Sequence, residues 1–247
     1  MTTHIEDITL AVAGEDIAGT VLRPQTELPG ILFVHGWGGS QQRDLEHALK
    51  LAGLGCICLT FDLRGHEATS AQRQTVTREQ NLADVVAAYD RLAAQPALDA
   101  SNIAVIGTSY GGYLATLLTA VRSVRWLALR VPAIYPDDHW DTPKQALDRE
   151  ALMRLRHSRC APQDNRALAA CARFTGDVLL VESEHDSFVP HPTVMNYRDA
   201  CTRARSMTHR IIQGADHALS RDADAMAYES ILNRWVSEMI VGSRVGL

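Results

Sequence analysis

The chain has 247 residues, 46% of them hydrophobic, and a formal net charge of −5 from 24 Lys+Arg against 29 Asp+Glu. That is enough apolar sequence for a sizeable core, and a mildly acidic balance without long charge runs argues against nucleic acid or an anionic membrane as a partner. No stretch reaches the ~20 apolar residues that span a bilayer. The first residues have neither a basic start nor an apolar signal core, and the five cysteines include no C-x-x-C pair, so a reduced, cytoplasmic setting is expected.

Residues 5–12 and 17–22 flank Ala13-Gly14-Glu15-Asp16 and predict an antiparallel hairpin. After a turn expected at Leu28-Pro29-Gly30, the run Ile31-Leu32-Phe33-Val34 has the continuous apolar character of a strand buried on both faces. From there the pattern alternates. A helix over 43–54 leads to a strand over 56–61, and a helix over 78–94 leads to a strand over 103–106 with its own following helix. Strands follow at 124–131, 178–182 and 208–213, then an amphipathic helix over 222–239. Eight strands in this order predict a mostly parallel α/β sheet flanked by helices, in a single domain over residues 1–247. One segment breaks the rhythm. Residues 132–176 are longer than a crossover needs, with helices expected over 143–156 and 165–172, and read as a small cap over the C-terminal edge of the sheet.

Gly107-Thr108-Ser109-Tyr110-Gly111 stands between an apolar strand and a small-and-apolar helix. G-x-S-x-G in that context is a nucleophile elbow, and Ser109 is its nucleophile. The bland alternative is a serine that merely caps a helix. A serine hydroxyl needs a base, and the base needs an acid to orient it. Among ten histidines, His217 alone stands in a tight turn, Gly214-Ala215-Asp216-His217, between the last strand and the last helix. The loop after the preceding strand offers Glu182, Glu184 and Asp186; Asp186 lies deepest in it and is the favoured acid, with Glu182 second. The oxyanion donors expected are the amides of Tyr110, next to the nucleophile, and Trp37, in the glycine-rich loop His35-Gly36-Trp37-Gly38-Gly39. That loop has neither the G-x-G-x-x-G spacing nor the G-K-[ST] ending of phosphate-binding loops. His35 is read as an anchor for the loop.

With these residues in hand the chain resembles an α/β-hydrolase over almost its whole length. The H-G-x-G-G loop, the elbow, the acid loop and the late histidine carry the likeness, as does Asp62-Leu63-Arg64-Gly65-His66, although Glu67 follows where a small residue is usual. Tyr110 after the nucleophile is similar to the prolyl-oligopeptidase-like and dienelactone-hydrolase-like branches. Ser109 departs from the cysteine of dienelactone hydrolases and from the aspartate of dehalogenases and epoxide hydrolases. The resemblance implies a serine hydrolase without metal or cofactor that cleaves a small carboxylic ester through an acyl-enzyme. Thioester or small-peptide cleavage would use the same groups, and a non-catalytic binding relative is the competing class. Tyr135, Trp140 and Phe188 are expected to line an acyl pocket under the cap.

Overall fold

The computed structural model describes the backbone of residues 3–12, 15–24 and 28–244, and side chains from residue 28 to 243. β1 (Thr3–Val12) and β2 (Glu15–Pro24) pair antiparallel, Thr3 opposite Pro24 and Val12 opposite Glu15. The predicted hairpin is therefore present, while residues 13 and 14 of its turn lie outside the described residues. It forms a two-stranded sheet of its own. The expected eight-stranded sheet is accordingly a six-stranded one, with strand order β4-β3-β5-β6-β7-β8. Its strands are β3 (Leu28–Val34), β4 (Ile57–Leu59), β5 (Leu98–Thr108), β6 (Trp126–Arg130), β7 (Asp177–Ser183) and β8 (Ser206–Ile212), and every pairing is parallel.

Parallel neighbours need crossovers, and helices supply them. α1 (Gln41–Gly53) links β3 to β4, α2 (Arg78–Ala93) links β4 to β5, and α3 (Tyr110–Leu118) links β5 to β6. α4 (Arg149–His157) and α5 (Arg166–Arg173) lie between β6 and β7, α6 (His191–Ala200) between β7 and β8, and α7 (Asp222–Arg244) follows β8. The predicted turn at Leu28-Pro29-Gly30 is instead the start of β3. Leu28 and Pro29 pair with Leu98 and Asp99, and an irregularity between Pro29 and Gly30 then shifts the register onto Ile103. That shift lets β3 reach back along a β5 that starts five residues before its apolar run.

Alternation along the strands feeds two apolar layers. Leu32, Val34, Val178 and Leu180 face a core shared with α2, α3, α5 and α6. Ile31, Phe33, Leu179 and Val181 face the other, shared with α1 and α7. All nine residues of α3 are buried, which is why that helix is apolar all round rather than striped. Local signals fix the helix starts. Thr77 and Gln80 form a reciprocal capping box on α2, Asp148 accepts from the Glu150 and Ala151 amides, and Asn165 accepts from Ala167 and Leu168. Within the predicted cap, α4 packs on α6 and α5 on α3 and α6. Among the described residues no helix is long and apolar enough to cross a membrane.

Candidate active site

The residues singled out by sequence lie in loops that follow strands of one parallel sheet, the end at which open α/β sheets build their sites. Ser109 joins β5 to α3 with φ 54° and ψ −114°, a left-handed conformation that a serine adopts only when its surroundings impose it. Here they do: its amide donates to Arg130 O at 2.9 Å, and its carbonyl accepts from Tyr113 at 3.2 Å and Ala133 at 3.0 Å. Gly111 makes the turn sterically feasible, because a Cβ there would lie 2.0 Å from Val34 O. The α3 N-terminus can thus press against the end of β3.

His217 stands in the loop between β8 and α7, and its Nδ1 is 2.5 Å from Asp186 Oδ2. The other oxygen, Asp186 Oδ1, accepts from the amides of Phe188 and Val189, both at 2.8 Å. Three donors hold a buried carboxylate in one orientation, and it in turn orients the imidazole. The competing acids are engaged elsewhere. Glu182 is buried between His191 Nδ1 at 2.6 Å and His209 Nε2 at 3.2 Å. Glu184 accepts from the Gly214 amide at 2.6 Å.

Ser109, His217 and Trp37 border one cavity of about 250 Å3, together with Asp44, His47, Arg130 and Tyr228. The His35–Gly39 loop reaches the nucleophile position through Gly36, where a Cβ would sit 3.3 Å from Ser109 Cβ and 3.9 Å from its Oγ. Among the described residues neither the Trp37 nor the Tyr110 amide is bonded to a backbone acceptor. Two buried histidines brace this loop. His35 Nδ1 bonds Gly36 O at 2.8 Å while its Nε2 accepts from the Leu63 amide at 3.0 Å. His66 Nε2 accepts from the Gly38 amide at 3.0 Å, and its Nδ1 bonds Leu63 O at 3.1 Å. Burial holds both imidazoles below their ordinary pKa, which suits rings that must accept from an amide.

The three aromatic candidates divide. Phe188, mostly exposed, has its ring 5.2 Å from that of His217. Tyr135 is buried in an aromatic cluster with Tyr110 and Tyr113, at 5.4 and 4.9 Å. The Trp140 ring has the guanidinium groups of Arg166 and Arg78 4.4 and 5.5 Å from its centre. None of the three borders the cavity that Ser109 and His217 share.

Arg130 and Asp44 are among the residues at that cavity that escaped the sequence reading. Arg130 is buried at the end of β6, and its Nη1 donates to His217 O at 2.9 Å, tying the histidine loop to the strand beside β5. Its signal was a lone arginine closing an otherwise apolar strand. Asp44, on α1, has its carboxyl pushed up to about 7, chiefly by burial and against the pull of Arg130 and Arg43. Nothing in the pattern of α1 distinguishes it from a solvated carboxylate.

Residues 31–238 match the alpha/beta hydrolase family, to which this chain therefore belongs. An uncharacterised protein of Mycobacterium tuberculosis is 35% identical over 105 residues, covering 42% of this chain and 36% of that protein's length. Solved structures resemble it over nearly the whole chain. A dienelactone hydrolase from Anabaena variabilis superposes with a TM-score of 0.61 at 19% identity, covering 96% of this chain and 98% of that one. Est1E from Butyrivibrio proteoclasticus, with ferulic acid bound, gives a TM-score of 0.65 at 16% identity and covers 96% of each chain. A structure reported for the metagenome-derived lipolytic enzymes LipS and LipT gives 0.65 at 19% identity, covering 87% and 94%. At these identities the likeness is one of fold.

Proposed function

We propose that this chain is a serine hydrolase that cleaves a small carboxylic ester through an acyl-enzyme, with Ser109 as nucleophile, His217 as base and Asp186 as the orienting acid. The observation that carries the reading is the bond between Asp186 and His217 at a cavity that His217 shares with a left-handed Ser109. With Nδ1–H directed at Asp186, the other ring nitrogen of His217 is left free to take a proton. As Ser109 Oγ attacks the ester carbonyl, His217 Nε2 removes its proton, and Asp186 stabilises the imidazolium. The carbonyl oxygen becomes an oxyanion, for which the Trp37 and Tyr110 amides are the donors. Collapse breaks the bond to the alcohol, which leaves with the proton held by His217. Water then enters, gives a proton to His217 and attacks the acyl carbon. The acid departs as Ser109 recovers its proton.

The nucleophile, the base, the acid and the oxyanion donors of this cycle are residues of the chain. The dienelactone hydrolase, esterase and lipolytic neighbours agree with hydrolysis of an ester. Ser109→Ala removes a single oxygen and should abolish turnover of 4-nitrophenyl esters, a loss on the order of a millionfold in kcat, with the circular-dichroism spectrum unchanged. Near-native turnover in a clean preparation would end the assignment.

A further inference from the structure

Lys144 begins a short 3-10 turn, Lys144–Ala146, whose first amide donates to Val76 O at 3.0 Å beside a bridge between Thr77 and Pro143. This anchors the turn to the start of α2 and directs the lysine toward the loop that carries Trp37. The ammonium lies 4.0 Å from the centre of the Trp37 ring, 5.1 Å from that of Tyr110 and 5.6 Å from that of Tyr135. The Arg73 guanidinium sits 5.3 Å from the same Trp37 ring. Lys144, Arg73 and Trp37 are all half-buried, so solvent still reaches them.

More cations stand behind these two. Arg78 is wholly buried and donates only to the carbonyls of Pro136, Asp138 and His139, with its Nε unpartnered. Arg156 is buried, donates to Phe188 O at 2.8 Å, and also leaves its Nε unpartnered. Among the described residues no Asp or Glu forms an ion pair with Lys144, Arg73, Arg78 or Arg156, whereas arginines such as Arg64, Arg122, Arg166, Arg205 and Arg221 are each paired with a carboxylate. Burial and the repulsion of Arg156, Arg73, Arg149 and Arg78 press the Lys144 amine down to about 7. Cation–π contact with Trp37 offsets part of that repulsion. Gathered like charges without a counter-charge are otherwise unfavourable, and an external anion relieves them.

We propose that Lys144 and Arg73, backed by Arg78 and Arg156, form a subsite beside Trp37 for an anionic group, a carboxylate or phosphate, carried by the substrate. The subsite rests on the serine-hydrolase reading for its use in turnover, while its ability to bind an anion does not. Because Trp37 also borders the cavity that holds Ser109, the anion would lie at the part of the substrate that passes over this loop.

The test compares mono(4-nitrophenyl) glutarate with the neutral 4-nitrophenyl valerate in the native chain, Lys144→Gln, Arg73→Gln and Lys144→Arg. The ratio of kcat/KM for the charged over the neutral ester should fall about tenfold or more in each glutamine variant, mainly through KM, and recover in Lys144→Arg. In parallel, glutarate and inorganic phosphate are titrated calorimetrically into each protein, whose fold is checked by circular dichroism. The tighter of the two names the anion, and its Kd should rise about tenfold in both glutamine variants. If no ester is turned over, the hydrolase reading fails and the titrations alone decide the subsite. An unchanged ratio, or in that case unchanged or undetectable anion binding in the native chain, overturns the proposal.

Discussion

Asp186 commits both of its oxygens, one to His217 and the other to two backbone amides, and this is the detail on which the proposed chemistry depends most finely. An amide in its place could keep the Phe188 and Val189 bonds yet present an N–H to the imidazole, stabilising the wrong tautomer. Asp186→Asn should therefore lower kcat by about ten-thousandfold, as an equivalent change does in serine proteases. Glu182→Gln and Glu184→Gln should act on stability far more than on turnover, because their carboxylates serve His191, His209 and Gly214. Steady-state kinetics on one ester separates the cases, and a crippled Glu182→Gln enzyme beside an active Asp186→Asn enzyme would move the acid to the end of β7. Much of this was legible from residue types and their place after strands. Ser109, Asp186 and His217 each stand shortly after a strand, and the order of the strands is plain in the sequence. Arg130 was not legible, since its role depends on β6 lying between β5 and β7, a neighbour relation that no local pattern records.

The loop from His35 to Gly39 is sensitive to pH through the histidines that brace it. His35 and His66 brace it as neutral rings, and burial holds each below the 6.5 of an unfolded histidine. The unfolded chain therefore binds more protons than the folded one as the medium turns acid. The stabilisation they contribute is complete above about pH 6.5 and is lost as the pH falls below it. His66→Gln keeps an acceptor for the Gly38 amide and cannot titrate. Its Tm should fall less between pH 7 and pH 5 than that of the native chain; an equal fall would show that His66 does not carry this linkage. Elements were legible in their kind and order, and less so in their edges. β5 starts at Leu98 through polar residues because Leu28 and Pro29 are there to pair with it, and β4 keeps only Ile57–Leu59. Whether the hairpin extends the main sheet or pairs only with itself is a tertiary choice, and its alternation is compatible with both.

Across the whole molecule, the sheet brings loops from both ends of the sequence to a cavity of about 250 Å3, and the 132–176 segment adds α4 and α5 against α6 and α3 rather than a wall to that space. A cavity of this size lies below the range usual for drug-sized ligands. Acetyl and butyryl esters should accordingly be cleaved with higher kcat/KM than palmitoyl esters, and a preference for the long chain would mean that the acyl group lies elsewhere. The account as a whole stands on a covalent bond to one serine. Mixed with 4-nitrophenyl acetate and quenched within the first turnovers, the protein should gain the mass of one acetyl group, located by peptide mass spectrometry on Ser109 and absent from Ser109→Ala. Turnover without any adduct on Ser109, or an adduct on another residue that accounts for the turnover, would contradict it.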